Sequence, residues 1–348
     1  MRIDDLIIYA NNRKASDIHL IFGLPPKCRV AGELESMADF VLNDEDCNNY
    51  AIELARYRYD DFLEIGEMDL ASTIQGVRVR INLFRQQEHT SIVIRLLNDK
   101  IPRLDCLGLP LGVERLTELK RGIVIVTGQT GSGKSTTLAS LIDRINHTRS
   151  CHVITLEDPI EYIYEPDLCI FNQREVGRDT KSYETGLRSV LREDPDVILI
   201  GEMRDTITME TALKAAETGH LVLTTLHTGS ASEAVDRIVD AFPEAKQQQI
   251  RLQLSMTLMA VLSQQLIPMK DGKGLIPACE FMLINPAIRN LIREGKTPQI
   301  DNVISTTADK GSITMDNAII KLYREKKISS KTALLAARNL DFVKKNIT

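Results

Sequence analysis

The sequence predicts an α/β protein: a parallel sheet with covering helices, preceded by a smaller α+β segment and followed by a helical C-terminal part. Three observations predict it. First, four short apolar runs, "GIVIVT" (122–127), "HVITL" (152–156), "DVILI" (196–200) and "LVLTTL" (221–226), alternate with helical patterns. Strands buried on both faces of a parallel sheet read as such uninterrupted apolar runs. Second, the first run leads directly into "GQTGSGKSTT" (128–137), a glycine-rich loop with a lysine and hydroxyls. Third, the first ~97 residues mix strands and helices without a strict βα order, which marks an α+β segment.

Taken in order, "DDLIIYANN" opens the chain as a helix. "GVRVRINLF" (76–84) alternates as a strand, with Val77, Val79, Ile81 and Leu83 on one face and Arg78, Arg80 and Asn82 on the other. "NDKIPRLDCLGLP" (98–110), with its prolines and glycine, reads as a linker. The expected division is therefore 1–97, linker 98–110, and 111–348. Beyond the linker, "ETALKAAET" (210–218) is a helix closed by Gly219. From about residue 246 the pattern turns mostly helical, and "AIRNLIRE" (287–294) is a helix with Asn285 as N-cap, Pro286 at its first position and Gly295 just past its end. Ile288, Leu291 and Ile292 form its apolar face, and Arg289 and Arg293 share the other.

Bulk properties narrow the function. A chain of 348 residues is too long for one typical core, so two domains are expected. Its formal charge of -5 leaves no basic stripe, so no nucleic-acid partner is expected. The six cysteines form no C-x-x-C pair, so no zinc site is expected, and they read as reduced thiols. "MRIDDLIIYANNRK" lacks the apolar core of a secretory signal, and no run approaches 18 apolar residues.

Gly128, Gly133, Lys134 and Ser135 fit G-x-x-x-x-G-K-[ST]. Glycines at these positions let backbone N–H groups turn inward and cradle phosphates at a helix N-terminus. Thr130, Gly131, Ser132 and Thr136 complete the cradle, Lys134 reaches the β and γ phosphates, and Ser135 suits Mg²⁺. The expected ligand is ATP or GTP. Ligands of open parallel sheets sit at the carboxyl ends of the strands. Those ends carry Glu157 and Asp158, Glu202, and His227. Glu202 is the candidate to polarise the attacking water, with Glu157 as the alternative, and both approach Mg²⁺ directly or through water. The place where a phosphate-loop protein usually sets a magnesium-organising aspartate holds Gly201. His227 senses the γ-phosphate, orients Glu202, or is a strand-end hydrogen-bonder. His220 is a further candidate.

The segments "GQTGSGKST", "ITLEDPIEY", "DPDVILIGEMRD" and "TGHLVLTTLHT", with "FNQREVGRDT" (171–180) and "KASDIHL" (14–20), together resemble the secretion ATPase superfamily of type II secretion and type IV pilus machines. "AIRNLIRE" resembles the C-terminal signature of the pilus retraction (PilT-like) group. Assembly-type relatives usually carry a four-cysteine zinc module and an extra N-terminal domain, and this sequence has neither. The resemblance implies a RecA-like ATPase domain behind an N-terminal PAS-like domain, ATP and Mg²⁺ as ligands, and a homohexameric ring. Arg78, Arg80 and Arg95 match arginines that close over a nucleotide in that family, and Arg289 and Arg293 would belong to a coupling helix. The implied partners are an inner-membrane platform protein and, indirectly, pilin, at the cytoplasmic face of the inner membrane. The implied role is pilus retraction and twitching motility. The alternatives are a pilus assembly or type II secretion ATPase, and a regulatory nucleotide-binding protein that barely turns over.

Overall fold

The computed structural model describes residues 1–97, 100–307 and 311–347. The chain divides into two units. One is Met1–Lys100 together with the short run Pro159–Ile163; the other is Ile101–Asp158 with Tyr164–Thr348. The first unit thus recruits five residues from deep inside the sequence of the second. Of the expected linker, residues 98 and 99 lie outside the described residues, and Leu104–Cys106 forms a 3₁₀ turn within the second unit.

The first unit holds strands β1 (Asp17–Leu20), β2 (Lys27–Val30), β3 (Glu33–Ser36), β4 (Glu67–Ile74), β5 (Val77–Gln86) and β6 (His89–Leu96). They form an antiparallel sheet in the order β3-β2-β1-β6-β5-β4. Alternation along β5 sends Val77, Val79, Ile81 and Leu83 into a core shared with Ile3, Leu6, Ile7 and Ala10 of the first helix. The other face of β5 is not uniformly exposed. Arg78 is only 9% exposed, and its Nη2 donates to the Ile160 carbonyl at 2.7 Å, within the recruited run.

The second unit holds β7 (Gly122–Thr127), β8 (His152–Glu157), β9 (Ile170–Glu175), β10 (Val197–Ile200), β11 (Leu221–Leu226), β12 (Leu258–Pro268) and β13 (Leu275–Leu283). The sheet order is β13-β12-β7-β11-β10-β8-β9; every pairing is parallel except β12 with β13. All residues of β7, β10 and β11 are buried, as the uninterrupted apolar runs require. Helices Tyr183–Val190, Thr206–Glu217, Ala231–Asp240, Glu244–Thr257 and Pro286–Glu294 bury apolar side chains into one core with Ile123, Ile125, Ile154, Ile198 and Val222.

Beyond residue 246 the chain is mostly helical as expected, except for one strand pair that the sequence does not mark. The helix Glu244–Thr257 passes straight into β12, which pairs with β13 to extend the sheet. "LMAVL" (258–262) is a continuous apolar run, and such a run fits a buried helix as well as a buried strand. No glycine or proline separates it from the preceding helix, so nothing local marks the change. Pro277 is tolerated because β13 is an edge strand. The final helices, Met315–Arg324, Ser330–Ala336 and Leu340–Ile347, form a separate small core against Ile267 and Ala278.

Candidate active site

Strand register assembles the site. Thr127 pairs with Leu226, Thr224 with Ile200, and Ile200 with Leu156, so β7, β11, β10 and β8 end along one edge of the sheet. At that edge the chain places the glycine loop, Glu157, Gly201 with Glu202, and His227.

The loop between β7 and the helix Lys134–Asn146 needs its glycines. Gly131 and Gly133 have φ of +78° and +89°, the left-handed region that favours glycine. A Cβ on Gly128 would stand 2.3 Å from the Gln264 carbonyl oxygen, so nothing larger fits. Lys134 is buried and its Nζ donates to the carbonyls of Gly128 and Gln129 at 2.9 and 3.0 Å, which folds the loop around its ammonium group. Ser132 is buried, Thr136 is half-buried, and Thr130 and Ser135 are exposed at the mouth. Thr228 N donates to Thr127 Oγ1 at 2.9 Å, tying the loop after β11 to the end of β7. The helix start, with its N–H groups directed into the loop and the positive end of its dipole, suits an anion.

The acidic side is built from β8 and β10. Glu202 Oε2 accepts from Arg204 Nε at 2.8 Å, and Arg204 Nη1 lies 3.9 Å from Asp158. His227 Nε2 lies 3.6 Å from Glu202 Oε1, inside ion-pair range but beyond a hydrogen bond. Gly201 has a steric cause: a Cβ there would meet the Tyr183 hydroxyl at 2.9 Å and the Leu156 carbonyl at 3.3 Å. The carbonyl of Gly201 accepts from Thr225 Oγ1 at 2.6 Å. Burial raises the pKa of Tyr183, and the negative charges of Asp158, Glu157 and Glu202 add to the effect, so its phenol stays protonated among these carboxylates.

Two members of this cluster escaped the sequence reading. Arg204 was within reach of it, two residues beyond Glu202 in "GEMRD". Tyr183 had no local signal; only the packing of its helix against β8 and β10 brings it in.

Other expected residues lie elsewhere. His220 precedes β11, so it sits at the opposite end of the strand from His227. Its carbonyl accepts from Gly122 N at 3.0 Å, and its ring Nδ1 is 2.9 Å from the Ala215 carbonyl and 3.1 Å from Thr218 Oγ1. It finishes the helix Thr206–Glu217, and its expected place in the site is withdrawn. Arg78, Arg80 and Arg95 belong to the first unit. Arg80 and Arg95 are register partners on β5 and β6, with Arg80 3.6 Å from Asp69 and Arg95 2.9 Å from Asp17.

The helix Pro286–Glu294 forms as expected, with Asn285 Oδ1 accepting from Ile288 N at 2.9 Å and Gly295 at φ +67°. Its arginines differ from expectation. Arg293 is exposed, but Arg289 is half-buried and donates through Nη1 to the Ser255 and Met256 carbonyls. Burial, and then the neighbouring Arg293 charge, lower the pKa of Arg289. Arg289 thus sits at the carbonyl end of the helix Glu244–Thr257, where the helix dipole is negative.

Residues 64–333 match the model of the family described as "Type II/IV secretion system protein". The chain is 43% identical to the type IV pilus retraction ATPase PilT of Pseudomonas aeruginosa, over 96% of this chain and 97% of that protein. It is 42% identical to the twitching motility protein of Neisseria gonorrhoeae, over 89% of this chain and 80% of that one. The crystal structure of the pilus retraction motor PilT with bound ADP superposes with a TM-score of 0.93 at 44% identity, covering 99% of both chains.

Proposed function

This chain belongs to the type II/IV secretion system protein family, and from that premise we propose that it is the ATP-hydrolysing motor of type IV pilus retraction, working as a homohexameric ring. The observation that carries the enzymatic part is the alignment of four strand ends, which sets the glycine loop, Glu157, Glu202 and His227 along one edge. The near full-length likeness to PilT supports the choice of retraction.

In this reading the loop N–H groups and the helix start hold the phosphates, and Lys134 turns from its loop carbonyls to the β and γ oxygens. Among the described residues no group of three or more His, Cys, Asp or Glu side chains is placed to hold a metal ion. The Ser135 hydroxyl, exposed at the mouth of the loop, would hold Mg²⁺, with Glu157 and Glu202 behind it through water. Mg²⁺ supplies charge compensation when bound. Glu202 polarises the attacking water, and Arg204 fixes its orientation. Phosphoryl transfer asks for little beyond such alignment and charge compensation. His227, beside Glu202, senses the γ-phosphate. Arg78, Arg80 and Arg95 add positive charge from the first unit when a nucleotide site closes.

Among the described residues no helix is long and apolar enough to cross a membrane. We place the ring at the cytoplasmic face of the inner membrane, acting on a platform protein and through it on pilin.

The test pairs chemistry with phenotype. Lys134→Ala is expected to abolish turnover of the purified protein. Deletion of the gene is expected to leave cells with excess pili and no twitching. Loss of pili on deletion would mean assembly, and a wild-type protein that binds ATP without turning it over would mean a regulator.

A further inference from the structure

Cys151 and Cys169 stand at matching positions immediately before β8 and β9. The register that pairs His152 with Ile170 steps back by one to this pair, and Ile170 N donates to the Cys151 carbonyl at 3.1 Å. The two sulfurs are 3.3 Å apart. Neighbouring strands run about 4.8 Å apart, inside the Cα separation a disulfide spans. Closing to a bond of about 2.05 Å therefore asks the sulfurs for little more than ~1 Å of approach, which side-chain rotation supplies. Access is asymmetric: Cys169 is 2% exposed, while Cys151 is half-buried and reachable.

What the pair would fasten is also clear from the topology. β9 is an edge strand, held to the sheet by β8 alone, and Ile170 at its start is 64% exposed. An edge strand with one neighbour is where a sheet frays.

We propose that Cys151 and Cys169 form a thiol–disulfide site, closed by small disulfides of the glutathione class, that locks the edge strand β9 onto β8. Cys151, as its thiolate, attacks one sulfur of the small disulfide. One small thiol leaves, and a mixed disulfide remains on Cys151. Cys169, as its thiolate, then attacks the Cys151 sulfur and expels the second small thiol. Two protein thiols are oxidised by two electrons, one small disulfide is reduced by two, and both S–H protons end on the released thiols. The environment sets the pace. Burial, and then the neighbouring Cys169 thiol, push the Cys151 pKa up to about 12. Little thiolate exists at neutral pH, so the lock answers sustained oxidation and ignores brief exposure. The ring so closed contains β8 with Glu157 and the run Pro159–Ile163, and its two cysteines are 18 residues apart.

The experiment incubates the reduced full-length protein with excess glutathione disulfide, alkylates the remaining thiols, and maps peptides without reduction. Cys106, which is exposed, reports that the oxidant acted. The expected result is a linked Cys151–Cys169 peptide, a melting temperature higher by about 5 °C, and slower hydrogen exchange of the β9 amides. All three should reverse with dithiothreitol, vanish in Cys151→Ser and persist in Cys106→Ser. Full conversion of Cys106 while Cys151 and Cys169 stay alkylatable would overturn the proposal. So would glutathione that remains on Cys151 without being expelled by Cys169.

Discussion

Glu202 is held on one side by Arg204 at 2.8 Å and flanked on the other by His227 at 3.6 Å. The Arg204 hydrogen bond orients the carboxylate, which is what alignment of a water requires. Glu202→Gln keeps the shape and removes the charge. Turnover should fall by roughly 10²-fold, about 3 kcal/mol in the barrier, while ATP affinity stays within a few-fold. Steady-state turnover beside equilibrium nucleotide binding checks this, and a larger loss in Glu157→Gln would exchange the two roles. Arg78 makes a different case. Strand alternation places it on a polar face, and on that ground its loss should not touch folding. The structure buries it against the Ile160 carbonyl at 2.7 Å. Arg78→Ala removes that donor and the packing of its stem, at a cost of about 1–3 kcal/mol. Melting temperature and turnover should drop together in Arg78→Ala. Arg80, with a side chain 40% exposed and a 3.6 Å pair to Asp69, should melt as wild type when replaced by alanine. Equal melting of the two variants would refute the distinction.

At the scale of elements, what the sequence made legible was local. The helix Pro286–Glu294 carries its own start and stop, Asn285, Pro286 and Gly295, and needs no distant information. The strands β7, β8, β10 and β11 announce themselves by burial on both faces, and the glycine loop by spacing that little else satisfies. β12 was hidden because a buried helix and a buried strand share one apolar signature. β9 was hidden because four of the six residues of its "IFNQRE" are polar, so this edge strand lacks the apolar run of the buried ones. The arginines of the helix Pro286–Glu294 show the same limit. Spacing put them on one face, but only the fold seats Arg289 on the carbonyls that end the helix Glu244–Thr257. They should therefore separate under mutation. Arg293→Ala should leave melting and turnover within about two-fold of wild type, as exposed substitutions do, yet stop twitching. Arg289→Ala should in addition lower the melting temperature by a few degrees, as loss of a helix-end charge does. Thermal melts, turnover and twitching assays on both variants decide this. Unaltered twitching in Arg293→Ala would remove the helix from the coupling step.

At the scale of the whole molecule, the sequence suggested consecutive blocks joined by a linker, because mixed strands and helices give way to a βα rhythm past the prolines and glycine of 98–110. The fold is not consecutive. The chain enters the second unit at Ile101, leaves it after Asp158, and returns at Tyr164. Nothing in "PIEYI" marks it as part of the first unit, since membership is decided by tertiary packing around Ile160, which is 7% exposed. A protein shortened to residues 101–348 would keep these five residues and lose the unit they belong to. It should melt lower than the full chain and aggregate unless Pro159–Ile163 is replaced by a polar turn; equal melting of the two shortened forms would count against this.

For anyone exchanging halves between relatives, the recruited run defines what the cassette is. A swap made only at residue 100 transplants a socket without its plug: the incoming β5 must accept an Ile160 carbonyl shaped for another partner. The same five residues begin one position after Asp158, so a hybrid that mismatches them would misplace the chain next to Glu157. Two relatives with interchangeable sheets can thus yield a dead hybrid, and moving residues 159–163 along with the first hundred is the repair.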